Sequence, residues 1–363
     1  MKVWFDHQIF SIQRYGGVSR YFVELLHGLR QIQGIEADVI APAHVNAYLS
    51  GNDSHHPLSF ALPFPKRGLR YRPALTAPLF SLANWIGSPD VIHETHYMLG
   101  STHLSKRARV VTTCHDMIFE KHPEWVPGSA DRAALKRKTF ERADAIICIS
   151  NHTRDDLIEI YPDLESKVAT VYHGVDHTPA PDSAPVDLPK PYLLYVGMRE
   201  GYKNFDAMIK ALGRSNLLRE NFHLVCFGGG PLSAAERRMS LEAGFPPERI
   251  RHYSGSDSLL AYFYKHAAAF VFPSLYEGFG MPLAEAMAQG CPIACSNASC
   301  FPEICGDAAV YFDGQDIDDM RNVIETLVGQ PRDQTQVALT NRSRHFSWKR
   351  CVSETACVYN SII

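Results

Sequence analysis

The chain has 363 residues, too many for one ordinary domain, so two domains are the first expectation. A formal net charge of −3 with 21 % charged residues fits a soluble globular protein and argues against a general nucleic-acid binder. No apolar run approaches the roughly 20 residues that span a bilayer, and Met1-Lys2-Val3-Trp4-Phe5-Asp6 meets an acidic residue before a signal-peptide core can form, so a cytoplasmic protein is expected.

Strand-like runs alternate with helical patterns along the whole chain, which predicts an α/β protein with parallel sheets. Strands are expected near Val3-Phe5, Val39-Ile40, Val91-His93, Val110-Thr113, Ala145-Ile149 and Val168-Tyr172. The Pro-rich stretch from Thr178 to Pro185 breaks the periodicity and reads as a linker. A second series follows near Tyr192-Val196, Leu224-Phe227, Ile250-Tyr253, Ala269-Phe272, Ile293-Cys295 and Val310-Phe312. Two similar halves predict two Rossmann-like domains facing a cleft, with ligands at the carboxyl ends of the strands. The tail from Phe346-Ser347-Trp348 to Ile363 reads as an amphipathic helix.

The stretch Pro273-Ser274-Leu275-Tyr276-Glu277-Gly278-Phe279-Gly280-Met281-Pro282 continues through Glu285 to Gly290. It reads as the end of a buried strand, a glycine loop, and a helix that Pro282 opens and Gly290 closes. Glu285 is expected in the first turn of that helix. A helix N-terminus attracts anions, and glycines let a phosphate approach the backbone. Two carboxylates beside that pole can accept hydrogen bonds from hydroxyls. Phosphates and hydroxyls together describe a nucleotide-sugar.

These residues resemble the Glu-x7-Glu signature of retaining glycosyltransferases of family 4, which have the GT-B fold. The resemblance covers most of the chain and is strongest from Tyr192 to Phe312. It implies an N-terminal acceptor domain over 1–178, a donor domain over 188–345, and a helix over 346–363 that crosses back to the first domain. It implies a metal-independent enzyme that moves a sugar from a nucleotide diphosphate to a hydroxyl with retention of configuration, without a cofactor. The pattern is similar to bacterial mannosyl-type enzymes of polysaccharide or O-antigen assembly. That favours a GDP-sugar donor, with UDP-sugars the close competitor, and a glycan or lipid-linked acceptor. A catalytically silent sugar-binding module is the rival from another class. A dehydrogenase is disfavoured, because Gly228-Gly229-Gly230-Pro231 lacks a Gly-x-Gly-x-x-Gly fingerprint.

The resemblance assigns residues as follows. Glu277, with the backbone of Gly278, Phe279, Gly280 and Met281, would hold the donor sugar, and Glu285 the ribose. Arg199 and Lys203, in Val196-Gly197-Met198-Arg199-Glu200-Gly201-Tyr202-Lys203-Asn204, would hold the diphosphate, whose charge grows as the glycosidic bond breaks. The family's arginine usually follows the glycine directly. Here Met198 stands there and Arg199 is one place on, so Lys203 is the firmer match. Gly228 would lie near the nucleotide, and Pro302-Glu303 near the sugar or ribose. In the first domain, Gly16-Gly17 and Arg20 form a glycine loop, with Gly17 approaching the donor. His115, after the strand Val110-Cys114, would face donor sugar and acceptor. His173 and Asp176 would line the cleft.

Asp316-Ile317-Asp318 has the Asp-x-Asp form of a metal site but begins a helix, where acidic residues favour the dipole. Nine cysteines, several in strands, suggest buried reduced thiols, and Cys291, Cys295, Cys300 and Cys305 lack zinc-site spacing. Lys66-Arg67-Gly68-Leu69-Arg70-Tyr71-Arg72 is basic and aromatic, which fits peripheral contact with the cytoplasmic face of the inner membrane as well as it fits a solvated loop.

Overall fold

A computed structural model of the chain describes residues 1–41, 44–50, 80, 87–98, 108–177, 179–183, 187–199 and 201–363. The basic segment Lys66–Arg72 and residues 178 and 184–186 lie outside the described residues.

The fold is α/β, with two parallel sheets of six strands each. The first unit comprises Met1–Gly174 together with Trp348–Ile363, and the second comprises Val175–Ser347. The chain thus passes between units at Gly174–Val175, a few residues before the Pro-rich stretch.

In the first unit the strands are β1 (Lys2–Phe5), β2 (Glu36–Val39), β3 (Val91–Glu94), β4 (Arg109–Cys114), β5 (Ala145–Cys148) and β6 (Val168–Thr170). Their spatial order is β2-β1-β3-β4-β5-β6, every pair parallel. The order reverses between β1 and β3, which is where such sheets open to ligands. The helix Gly17–Leu29 buries Tyr21, Phe22, Leu25, Leu26 and Leu29 on one face. The C-terminal helix Trp348–Ile362 joins this same core through Cys351, Val352, Ala356 and Tyr359. These fall at steps of one, four and three residues, a continuous helical stripe. Tyr359 also bonds Nδ1 of the buried His93 at 2.7 Å, so a residue near the end of the chain completes the third strand's surroundings. Each large apolar side chain buried this way contributes about 1.5–3 kcal/mol.

In the second unit the strands are β7 (Tyr192–Val196), β8 (His223–Phe227), β9 (Ile250–Tyr253), β10 (Ala269–Phe272), β11 (Ile293–Ser296) and β12 (Val310–Phe312). Their order is β12-β11-β10-β7-β8-β9, again all parallel. This is the doubly wound Rossmann order, and its reversal lies between β7 and β10. Both of those strands are apolar nearly throughout because helices cover both faces.

The helix after β10 runs Met281–Ala288 with Pro282 in its first turn and Gly290 in the left-handed region beyond its end. Glu285 is its fifth residue, one position past the expected first turn. Asp316 caps the helix Ile317–Val328, accepting from the backbone N–H of Asp318 at 2.9 Å and of Asp319 at 3.1 Å. That is the helix-start role expected from the sequence; among the described residues no group of three or more His, Cys, Asp or Glu is placed to hold a metal ion. Eight cysteines are buried and Cys357 is exposed, all as free thiols. No described helix is long and apolar enough to cross a membrane.

Candidate active site

The reversal between β7 and β10 brings two loops together. The loop after β7 carries Gly197 to Asn204, and the loop after β10 carries Pro273 to Gly280. A backbone bond ties them, Leu275 N–H donating to the Tyr202 oxygen at 2.8 Å. Next to that tie, the ammonium of Lys203 is ion-paired with Oε1 of Glu277. Both side chains are about one-fifth exposed, so the pair is reachable from solvent yet partly dehydrated.

Glu277 is held from behind. Ser299, a residue with a positive φ of 52°, accepts from the Glu277 N–H at 3.2 Å and donates to the Glu277 oxygen at 2.6 Å. Cys300 Sγ donates to the same oxygen at 3.2 Å. Phe279 is buried against Phe346, with ring centroids 5.3 Å apart, which fixes the loop beyond Glu277. Gly280 has φ 78° and begins the helix Met281–Ala288, whose first turn has no side-chain cap. A side chain at Gly280 would strain the backbone and meet Leu283. Met281 is half-buried and Gly278 buried. On the helix, Glu285 accepts from the buried Tyr264 hydroxyl at 3.2 Å. Burial, and then the Glu285 charge, raise the Tyr264 pKa well above the usual tyrosine range, so the hydroxyl stays a donor. Glu303 is half-buried on the short helix Phe301–Cys305.

Arg199 has a different setting from Lys203. Its side chain is nearly buried, and Nε donates to Glu236 Oε1 at 2.5 Å. The remaining guanidinium nitrogens reach the backbone oxygens of Gly228, Gly229 and Pro231 at 3.4, 3.3 and 3.1 Å. Glu236 in turn forms a capping box with Ser233 at the start of the helix Ala234–Glu242. Arg199 therefore braces the loop Gly228-Gly229-Gly230-Pro231, and its guanidinium is occupied by protein groups. Gly228, Gly229 and Gly230 all have positive φ, and a Cβ on Gly229 would stand 2.5 Å from the Gly197 oxygen. A cavity of about 610 Å³ opens on the β8 side of β7, walled by Met198, Arg199, Asn204, Gly229, Pro231 and Glu236 among others.

In the first unit, Gly17 is the first residue of its helix, and a Cβ there would meet nothing within 4 Å, so its backbone is open. Tyr21, one turn on, lies edge-on to His115 at 5.5 Å and against His173 at 4.9 Å. The structure thus gathers the glycine loop, His115 and His173 beyond β1 and β4. His115 Nε2 is buried and has no hydrogen-bond partner among the described residues. Burial, and then the neighbouring His173, push the His115 pKa well below the usual histidine range, so the ring is neutral at pH 7. His173 is lowered to about 4, chiefly by burial. Asp176 falls in the second unit.

The motif reading names Glu277, Glu285 and Lys203 as candidates and does not single out Tyr264, Glu236 or Ser299. Each of the three acts on a residue more than twenty positions away in sequence, which a linear pattern does not show.

Comparison with known proteins adds family and fold. Residues 15–178 match Glycosyltransferase Family 4, and residues 178–346 match Glycosyl transferases group 1. O-antigen chain mannosyltransferase B of Escherichia coli is 28% identical over 268 residues, covering 69% of this chain and 70% of that protein. Among solved structures, sucrose-phosphate synthase of Thermosynechococcus elongatus superposes with a TM-score of 0.77 at 20% identity, covering 99% of this chain and 98% of the other. Anabaena HepE in complex with UDP-glucose gives 0.74 at 15% identity, covering 99% and 100%. The shared fold is GT-B.

Proposed function

The chain belongs to the family 4 glycosyltransferases, and we propose that it is a retaining enzyme that transfers mannose from GDP-mannose to a hydroxyl of a glycan or lipid-linked acceptor in polysaccharide or O-antigen assembly. The observation that carries the site is the Lys203–Glu277 pair at the strand-order reversal of the second unit. It sets one cation and one carboxylate where a nucleotide-sugar is expected to lodge.

In this reading Lys203 and the N-terminal pole of the helix Met281–Ala288 neutralise the diphosphate, in place of a divalent ion. The charge on the leaving phosphate grows as the glycosidic bond breaks, so these groups act most in the transition state. Glu277 accepts from hydroxyls of the donor sugar, and Glu285, aimed by Tyr264, from the ribose. The backbone from Gly278 to Met281 closes around the sugar, and Gly228 lies beside the nucleotide. Arg199 contributes through the glycine loop that it braces. His115 is assigned the acceptor-side contacts, and Gly17 an approach to the donor. A neutral His115 can accept from, or donate to, a hydroxyl without carrying charge. The acceptor oxygen attacks from the face that the phosphate leaves, and the departing phosphate takes its proton, so the sugar keeps its configuration. With a lipid-linked acceptor, the reaction takes place at the cytoplasmic face of the inner membrane, which co-sedimentation with liposomes tests.

A UDP-sugar donor is the second reading, favoured by the UDP-glucose bound to the structurally similar HepE. Thermal stabilisation by a panel of GDP- and UDP-sugars separates the two. The anomeric configuration of the product tests retention. Lys203→Ala should lose roughly 3 kcal/mol of transition-state stabilisation, about a hundredfold in kcat. Unchanged transfer in that variant would remove Lys203 from the site.

A further inference from the structure

The helix Ser129–Arg142 is polar in sequence, yet the side chain of Lys136 is fully buried. A buried ammonium is costly unless its N–H groups find partners. Lys136 Nζ donates to the backbone oxygen of Asp116 and to Glu120 Oε2 at 3.1 Å. The rings of Tyr97, Phe119 and Phe140 stand 5.5, 5.6 and 5.9 Å from the nitrogen. Burial pulls the Lys136 pKa down, but the field of Cys114, Asp116 and Glu120 outweighs it, and the net shift is upward. The charge is therefore retained.

The oxygen that Lys136 grips belongs to the residue directly after His115. On the other side, the His115 N–H donates to the Tyr97 hydroxyl at 3.1 Å, and that hydroxyl donates to the Thr113 oxygen at 2.9 Å. The strand end is thus fastened before His115 by a phenol and after it by an ammonium. Lys136 and Tyr97 also touch each other, so the two fasteners form one unit. Among the described residues nothing hydrogen-bonds the His115 ring at Nε2 to correct its aim, so its direction follows from its backbone and its contacts with Tyr21 and Phe22. An apolar residue among the three aromatic rings would satisfy packing more simply than a buried ion. What the ion adds is a fixed place for one carbonyl.

We propose that Lys136, acting with Tyr97, is a positioning residue for His115 in the transfer reaction. It touches no reacting atom and works by holding the peptide groups that flank His115. The proposal rests on the assignment of His115 to the acceptor side.

The test is a double-mutant cycle on the full chain, read by turnover of GDP-mannose and by binding of GDP. His115→Ala should lower kcat about 100-fold, and Lys136→Met about 10-fold. Lys136→Met should change the GDP affinity and the KM for GDP-mannose by less than about twofold, because the nucleotide site is on the other unit. In the His115→Ala background, adding Lys136→Met should lower kcat by less than about twofold. Lys136→Arg should recover most of the loss. If the two losses multiply, Lys136 does not act through His115, and the proposal fails while the reading of His115 stands. If His115→Ala leaves kcat unchanged, both fail. Should Lys136→Met not fold, Tyr97→Phe, which keeps the ring and removes only the hydroxyl, takes its place in the same cycle with the same criterion. Where turnover is too slow to measure, the imidazole NMR signal of His115 should move in Tyr97→Phe and in Lys136→Met and return in Lys136→Arg, and an unmoved signal overturns the proposal.

Discussion

The ammonium of Lys203 and the carboxylate of Glu277 are paired across the junction of β7 and β10, although 74 residues separate them in sequence. In the proposed reaction each has another partner, the diphosphate for Lys203 and the sugar for Glu277. Donor binding must open the pair, so the carboxylate competes with phosphate for the lysine.

Neutralising the carboxylate should therefore have opposite effects on product and substrate. A part-exposed pair is worth about 0.5–1 kcal/mol, so Glu277→Gln should bind GDP about two- to fivefold more tightly. The same variant should transfer sugar about 100-fold more slowly, because a contact made to the donor sugar is lost. Calorimetric titration with GDP and a transfer assay measure the two effects. Weaker binding of GDP to Glu277→Gln would show that the pair does not restrain Lys203.

Tyr264 should act on substrate binding alone. Its hydroxyl aims Glu285 at 3.2 Å, and a ribose contact is the same in ground and transition states. Losing one such hydrogen bond costs about 1 kcal/mol. Tyr264→Phe should raise the KM for the donor about three- to tenfold with kcat within about twofold. A fall in kcat at constant KM would place Glu285 in the chemical step instead.

Arg199 should act on stability. Arg199 is nearly buried and its partner Glu236 about one-fifth exposed, so breaking the pair should cost about 2–3 kcal/mol, less than for a fully buried pair, and Arg199→Ala also removes its bonds to the oxygens of Gly228, Gly229 and Pro231. Its urea midpoint should fall well below that of the parent. Gly229→Ala should fall too, since φ is 68° there and the new methyl meets the Gly197 oxygen. If Arg199→Ala keeps its midpoint and loses nucleotide binding, Arg199 contacts the ligand directly.

Acid should destabilise the first unit through its buried histidines. Burial lowers His173 to about 4 and His93 to about 3, both below the value of about 6.5 in an unfolded chain. The unfolded state thus binds protons first as pH falls. Stability from these groups is complete above about pH 6.5, declines through the interval down to each folded value, and levels off below it. For His173 alone the loss between pH 7.5 and pH 5 is roughly 2 kcal/mol. His173→Gln should flatten the dependence of the urea midpoint over that range, and an unchanged slope would assign the acid sensitivity elsewhere.

Much of this architecture was legible in the sequence. Apolar runs such as Tyr192–Val196 and Ala269–Phe272 mark parallel strands, and Pro282 with Gly290 brackets a helix, because these residues restrict the backbone locally. Glu277 and Glu285 were legible as candidates because they share one compact motif, and Lys203 because it stands in a second short motif after a strand. Lys136 was not, since a lysine within Leu135-Lys136-Arg137-Lys138 carries no local sign that one of three cations turns inward. Nor was the role of Arg199. Its partner Glu236 stands 37 residues away, and only the adjacency of β7 and β8 brings the two together. The same limit applies to Ser299, whose grip on Glu277 depends on β10 and β11 being neighbours.

The passage of Trp348–Ile362 into the first core has a consequence for synthesis. Cys351, Val352, Ala356 and Tyr359 leave the ribosome after the whole of the second unit. The N-terminal half must therefore wait, its β3 histidine lacking its phenol partner, while the C-terminal half already has its entire sheet. A fragment stopped at residue 174 should consequently be an aggregation-prone, unfinished intermediate, whereas one spanning 175–347 carries all six strands of its sheet and the core cluster packed on them.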